Sequence, residues 1–481
     1  MTAFILGPST AIMYNPGMSS TTTGEAAIER SAAVPSYLTL LLFYVPLGFS
    51  GLMMTLDQPV VNAVLNRFPN PNTSVAALSV AFSLALVYEA THISMIDVST
   101  ALSTDRAVFG MLRRFYLALA AGLFVVASLI ALTPLFDLIV LGLMNQAPEV
   151  AAAARPAAIV FLLWPIPIGW RRLHQGALIK HGQTKPVGAG GIVRLASLAL
   201  GLLFFGWLGT SVFTIEPAAI AVLAMLVSVT AEAAAVHGWT ARILNSVPET
   251  IPGKKIPIYG ELWHFIFPLS ATSVMSTLAQ PLLRAGIASA AVAWAATGGS
   301  VVGVASYQVA WSVAFLVFGP TLSMTQASIA WTGSPDPAVR ERGPRVLVGV
   351  GIGLAALMAL VTFTPLARWV FSTLIDAPDE TAAMSATVAR WLIPMPVLHS
   401  VSFMLRGKLI ARREPRVVRR AQLVDLIAIF LFIQLATNPV SPLPALLHGV
   451  PAAPLAAIAY DLMLCVDITM LLIGLRLIRV R

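Results

Sequence analysis

The chain has a single cysteine, Cys465, in 481 residues, so neither an internal disulfide nor a thiolate metal cluster can hold it together. Charge is also scarce. Only 11% of residues are charged, against about 25% in soluble domains; 58% are hydrophobic and the mean hydropathy is +0.84. An ordinary water-soluble domain is excluded. A Gly-rich phosphate loop ending in Gly-Lys-Ser/Thr is missing, which excludes an ATP-hydrolysing motor of that type. An Asp-rich diphosphate–metal pair is missing too, so a membrane-embedded transferase would lack its metal ligands. Glu89-x-x-His92 fits half of a di-iron carboxylate motif, but the carboxylate partners are not repeated. No enzyme, metal or cofactor is expected beyond a coupling ion, H+ or Na+.

What is present is apolar length. Runs of about 20 residues, enough to cross ~30 Å of hydrocarbon, recur throughout. They predict an all-α membrane protein of twelve spans, at 37–66, 74–101, 113–141, 151–181, 187–209, 216–242, 259–289, 301–331, 346–373, 382–412, 418–437 and 453–476. Arginine and lysine then sort by side: 24 fall at the termini and even-numbered connections and three at the odd-numbered ones. This bias places both termini in the cytoplasm, and it accounts for the net charge of +9 without nucleic acid. Residues 1–34 lack a basic n-region and carry Ser-Ser-Thr-Thr-Thr-Gly-Glu, so a flexible cytoplasmic extension is expected rather than a signal peptide. Arginine outnumbers lysine 25 to 5, which hints at a GC-rich prokaryotic genome and a bacterial inner membrane.

The chain is also doubled. PLGFSGLMMTLDQPVVNA from Pro46 and PLSATSVMSTLAQPLLRA from Pro268 share eight of eighteen positions without gaps, including Gln58-Pro59 and Gln280-Pro281. The second spans share Ser94-Met95 and Ser323-Met324. The third share Thr133-Pro134-Leu135 and Thr364-Pro365-Leu366. The fourth share Pro165-x-Pro167 and Pro394-x-Pro396, followed by Gly176-x-Leu178-Ile179 and Gly407-x-Leu409-Ile410. Six spans is an even number, so both copies insert the same way and an axis along the membrane normal should relate them. The expected lobes are 35–244 and 259–481, joined by a cytoplasmic linker over 245–258. Pro-x-Pro removes backbone donors and kinks a helix, which is tolerated in a membrane only against protein or a water-filled cavity.

Two six-helix lobes, each opening with a Pro-Leu helix that carries a later Gln-Pro, resemble the multidrug/oligosaccharidyl-lipid/polysaccharide (MOP) flippase superfamily, with its MATE-like two-lobe transporters. Within the fourth span, His174-Gln-Gly176-Ala-Leu178-Ile-Lys180-His181 is similar to the matching segment of the progressive ankylosis family, as is the Pro46-Leu47-Gly48 opening. The superfamily resemblance implies alternating access and a monomer; the ankylosis-like segment implies export of small organic or phosphorylated anions.

In a duplicated scaffold, function should concentrate where the copies differ. Asp57, Glu89, His92 and Asp97 align with Ala279, Phe318, Thr321 and Gln326, so the second copy lacks all four titratable groups. Intramembrane carboxylates cost about 2.5–3.5 kcal/mol on insertion scales and usually face a cavity. Asp57 and Glu89, with His92 three residues on, are the expected coupling-ion site; a structural hydrogen-bond network is the alternative. Arg171, Arg172, His174 and Lys180 form a basic group suited to an anion, or to anchoring on lipid phosphate. Gln58, Gln280 and the lone cation Arg284 are further substrate-binding candidates. Arg194 aligns with Asp425, and the two are expected to form a gate across the central cleft. Glu232, Asp461 and Asp467 are lesser cavity candidates. Export of anions leads; a cation-coupled multidrug exporter and a lipid-linked saccharide flippase follow.

Overall fold

The computed structural model describes residues 36–480, apart from 94, 182, 184, 212–214, 252–257, 294–298, 335, 413, 439–440 and 442–451. The expected extension over 1–34 and the Lys254-Lys255 pair of the linker lie outside these residues. The described chain is helical throughout, with no strand among the described residues. Nine of its helices are long and apolar enough to cross a membrane, or ten if Asp379–Trp391 and Met395–Ala411, bent by 42°, form one span. The number of uninterrupted crossing helices among the described residues therefore falls below the expected twelve.

The two spans missing from that set open the two halves, and each is broken in the same place. Tyr37–Thr55 is followed by Asp57–Leu65 across Leu56, and Tyr259–Thr277 by Ala279–Ala293 across Leu278. The repeated prolines explain the break. Pro59 and Pro281 have no N–H to return to the carbonyls four residues earlier, those of Thr55 and Thr277, where the first helices end. Asp57-Gln58 and Ala279-Gln280 thereby become the first turn of a new helix. A carboxylate at that position is favoured by the helix dipole.

Other details are duplicated too. Thr133-Pro134 and Thr364-Pro365 each lead into a π-helical turn, Leu138–Leu143 and Trp369–Leu374. Each turn leads to a residue at positive φ, Asn145 at 50° and Asp376 at 59°. Ser99 donates to the Leu173 carbonyl at 2.6 Å and Ser328 to the Met404 carbonyl at 2.7 Å. Gly176 and Gly407 permit those approaches: a Cβ would lie 2.5 Å from the Ile96 oxygen in one half and 2.7 Å from the Thr325 oxygen in the other.

The halves also exchange contacts. Leu40 and Tyr44, on the first helix, are buried with Met324, Trp331 and Leu347 of the second half. Leu262 and Ile266 are buried with Met95, Val98 and Leu112 of the first half. At the arginine-poor end, Asn66 donates to the Ile375 carbonyl at 3.2 Å, Arg67 lies 3.5 Å from Asp376, and Thr381 bonds Asn72. Leu117, Val125, Leu129, Leu200, Leu203 and Phe204 are exposed on the outer surface. That much exposed apolar surface suits hydrocarbon rather than water.

Candidate functional site

Five long segments and the two helix breaks converge on a cavity of about 210 Å³ between the halves. The helix starting at Asp57 contributes Asp57 and Gln58, and Pro71–Ile93 contributes Phe82 and Glu89. Pro165–Lys180 contributes Arg171 and Arg172, and Lys185–Ser211 contributes Arg194. From the second half come Gln280, Arg284, Gln308, Trp311 and Phe315. Eight of the residues expected from sequence thus share one wall: Asp57, Gln58, Glu89, Arg171, Arg172, Arg194, Gln280 and Arg284. The remaining four do not line it.

One side of the wall is ionic. Arg194 is ion-paired with Asp57 and lies 4.0 Å from Glu232, while Arg171 Nη1 donates to Glu232 Oε2 at 2.6 Å. Gln175 Nε2 occupies the other Glu232 oxygen at 3.1 Å. Removing one partner from such a buried pair typically costs about 3–5 kcal/mol, because it strands the other charge. Glu89 accepts from the Trp164 indole at 2.7 Å. Arg172 Nε is buried with no partner among the described residues.

The other side is a neutral amide layer around a buried cation. Arg284 is 1% exposed. It donates to Ser79 Oγ at 2.6 Å, to Gln280 O and Oε1 at 2.9 and 2.7 Å, and to Gln308 Oε1 at 3.0 Å. Gln308 passes the network on to Gln58 Oε1 at 2.9 Å and also accepts from Ser79 at 3.0 Å. All three guanidinium nitrogens of Arg284 are hydrogen-bonded, but among the described residues no carboxylate neutralises it. Ser79 and Gln308 are equivalent positions of the repeat, so their contact marks where the halves meet. The seam there is polar. Four guanidinium groups and two carboxylates line the cavity.

Among the four expected residues that the cavity leaves out, His92 packs edge-on to Tyr116 with ring centroids 5.5 Å apart. A three-residue step along a helix leaves side chains about 60° apart, and that offset turns His92 away from Glu89's wall. His174 bonds the Trp170 carbonyl at 2.8 Å and His237 at 3.0 Å. Lys180 is exposed at its helix end. The expected Arg194–Asp425 pair does not form in this conformation, because each finds an opposite charge in its own half. Asp425 lies 3.8 Å from Arg406, which donates to Asp467 at 2.9 Å. Gln308 and Trp164 are not among the residues expected from sequence, and Glu232 is there only a lesser candidate. Gln308 was detectable as the repeat partner of Ser79, the lone amide within an apolar helix.

Residues 253–452 match the family model described as progressive ankylosis protein (ANKH). This bears out the resemblance, although the match covers the second half and the motif at His174 lies in the first. Among solved structures, an inward-facing multidrug resistance MATE family transporter of the MOP superfamily is 15% identical, with a TM-score of 0.62 over 90% of this chain and 95% of that one. The MATE multidrug transporter DinF-BH is 18% identical, with a TM-score of 0.62 over 92% and 97%. A MOP superfamily transporter from Pyrococcus furiosus is 15% identical, with a TM-score of 0.61 over 93% and 96%, and is described by a reverse polarity of its binding pocket that suggests a different function. At such identities the likeness is one of fold. The chain shares the all-helical fold of these MATE and MOP superfamily structures.

Proposed function

We propose that this chain, with its MATE fold and progressive ankylosis family match, is a secondary-active exporter of small organic or phosphorylated anions working by alternating access. The observation that carries this reading is the cavity wall, where four arginines face two carboxylates. Guanidinium forks bind carboxylate or phosphate at two points, and in a low-dielectric site they repel cations. Arg172, which forms no ion pair among the described residues, and Arg284, which no carboxylate neutralises among them, are the cargo-holding charges. Gln58 and Gln280 hold the seam that must part when the halves, about 35–244 and 259–481, rock. Asp57 and Glu89 serve coupling. The Asp57 charge is already matched by Arg194, so a proton reaching Asp57 would release Arg194 toward the cavity.

The arginine excess supports for this chain an inference of the kind drawn for the Pyrococcus furiosus transporter. A proton- or sodium-coupled multidrug exporter is the second reading; Asp57 and Glu89 favour it and the cationic wall opposes it. A lipid-linked saccharide would need more room than about 210 Å³. The 24-to-3 arginine and lysine asymmetry supports cytoplasmic termini, the 25-to-5 ratio of arginine to lysine supports a bacterial inner membrane, and we take the working unit to be a monomer.

The test is transport in proteoliposomes under an imposed proton gradient, with labelled citrate, labelled pyrophosphate and a fluorescent rhodamine dye as separate probes. At least one anion should move and the dye should not. Arg172→Ala and Arg284→Ala should each lower anion flux roughly tenfold or more, as expected for losing a hydrogen-bonded charge worth about 1.5–3 kcal/mol. Dye export that survives Arg284→Ala, with neither anion moving, would sink the proposal.

A further inference from the structure

We infer that the outer groove between the helices Pro165–Lys180 and Pro217–Leu244 holds an anionic phospholipid, with its phosphate on Arg106, Arg113 and His237 and an acyl chain along Leu163, Ile166 and Leu226. Two adjoining cavities carry this. One, of about 250 Å³, is lined by Arg106, Phe109, Arg113, His174 and His237 and by no carboxylate. The other, of about 490 Å³, is lined by Leu163, Ile166, Trp170, Leu226, Ala234 and His237 among others, and its surface is almost wholly apolar. His237 belongs to both, so a basic pocket opens directly into an apolar trough.

The geometry around His237 leaves it available. The Trp170 carbonyl can only accept, so His174 Nδ1 donates to it at 2.8 Å, and His174 Nε2 then accepts from His237 Nδ1 at 3.0 Å. In the imidazolium form, where both ring nitrogens are donors, His237 Nε2–H remains to donate to a phosphate in the pocket. Arg106 and Arg113 are seven residues apart, two helical turns, and so share a face; both are exposed. The neighbouring Asp105 is committed to capping its helix through the Val108 N–H at 2.9 Å. The trough exists because Pro165 and Pro167 follow a 3-10 turn at Phe161–Leu163, and because Ala233 and Ala234 present no bulk.

A soluble phosphate would have no use for the trough, and an acyl chain alone would have no use for two arginines. One amphipathic anion uses both. On the orientation proposed above, this site lies at the cytoplasmic leaflet, where basic residues attract anionic headgroups. It is separate from the cargo cavity, whose arginines are Arg171, Arg172, Arg194 and Arg284, so its failure would leave the transport reading untouched.

The experiment is native mass spectrometry of the full-length protein with phosphatidylglycerol and phosphatidylcholine at equal concentration. Phosphatidylglycerol should be retained preferentially. The double variant Arg106→Ala/Arg113→Ala should weaken retention roughly thirtyfold, at about 1 kcal/mol per basic residue near the headgroups. Ala234→Trp, which fills the trough from an exposed position, should abolish it, and millimolar inorganic phosphate should not compete. Equal retention of both lipids, or retention untouched by either variant, would overturn the site. Displacement by phosphate with no effect of Ala234→Trp would overturn it in favour of a soluble anion.

Discussion

The two halves of this molecule share a scaffold and differ in where they put charge. In both, a carboxylate on the last helix, Glu232 or Asp467, accepts two hydrogen bonds from the kinked fourth helix. The first half supplies Arg171 and Gln175; the second supplies Ser402 and Arg406 at the repeat-equivalent positions. The acid stays and the guanidinium moves by one helical turn. On the neighbouring helix the sign inverts, Arg194 in one half and Asp425 in the other. The first half therefore turns Arg171, Arg172 and Arg194 onto the cavity, whereas the second contributes Arg284 there and ties Arg406 between two aspartates. Duplication provided two equivalent frames, and a one-turn relocation of charge brings the fourth-helix guanidinium to the cavity in only one of them.

The sharpest way to break this comparison is to impose the second half's pattern on the first. Arg171→Ser with Gln175→Arg keeps a cation on Glu232 but takes it one turn away from the cavity. Anion flux should fall on the order of a hundredfold, the upper end for a charged hydrogen bond, while the unfolding midpoint moves little because Glu232 remains paired. Flux within a factor of about two of wild type would show that the position of the guanidinium does not matter.

The two acids should differ as well. Glu232→Gln strands Arg171, whose ion pair it is, and should cost about 3–5 kcal/mol. Asp467→Asn leaves Arg406 beside Asp425, so its cost should be smaller by about half. Thermal unfolding of the detergent-solubilised variants measures both. Equal losses, or a larger loss for Asp467→Asn, would remove the asymmetry.

The repeat was legible in sequence because proline, glycine and threonine-proline steps have backbone consequences that survive divergence. Pro59 and Pro281 sit at the two helix breaks, which the expectation of unbroken spans over 37–66 and 259–289 missed, and Gly176 and Gly407 sit at the two close helix contacts. The charged wall was legible at Asp57, Glu89 and Arg194 because in-register comparison exposes charges that only one copy carries. The pairings were not legible. Which arginine meets which acid depends on rotation about each helix axis and on the break at Leu56, neither of which a residue list contains. Arg194 was paired with Asp425 because they align, yet alignment places equivalent residues in separate halves. They touch only where the halves meet, as Ser79 and Gln308 do.

The smallest expected effect tests the shared scaffold rather than the charges. Ser99 and Ser328 make the same bond in the two halves, at 2.6 and 2.7 Å to the carbonyls of Leu173 and Met404, beside the same glycine contact. Both hydroxyls are buried. Ser99→Ala and Ser328→Ala each remove one donor from a carbonyl that keeps its place in a helix, so each should cost about 1 kcal/mol. Because backbone geometry and burial match, the two losses should agree within about 1 kcal/mol in thermal unfolding, any excess falling on Ser99, whose hydroxyl also bonds the buried Ser103 at 2.9 Å, even though substitutions at the charged positions one helix away do not agree. A loss confined to one serine would mean that the halves have diverged in packing as well as in charge, and the contrast between Arg171 and Ser402 could then no longer be credited to charge placement alone.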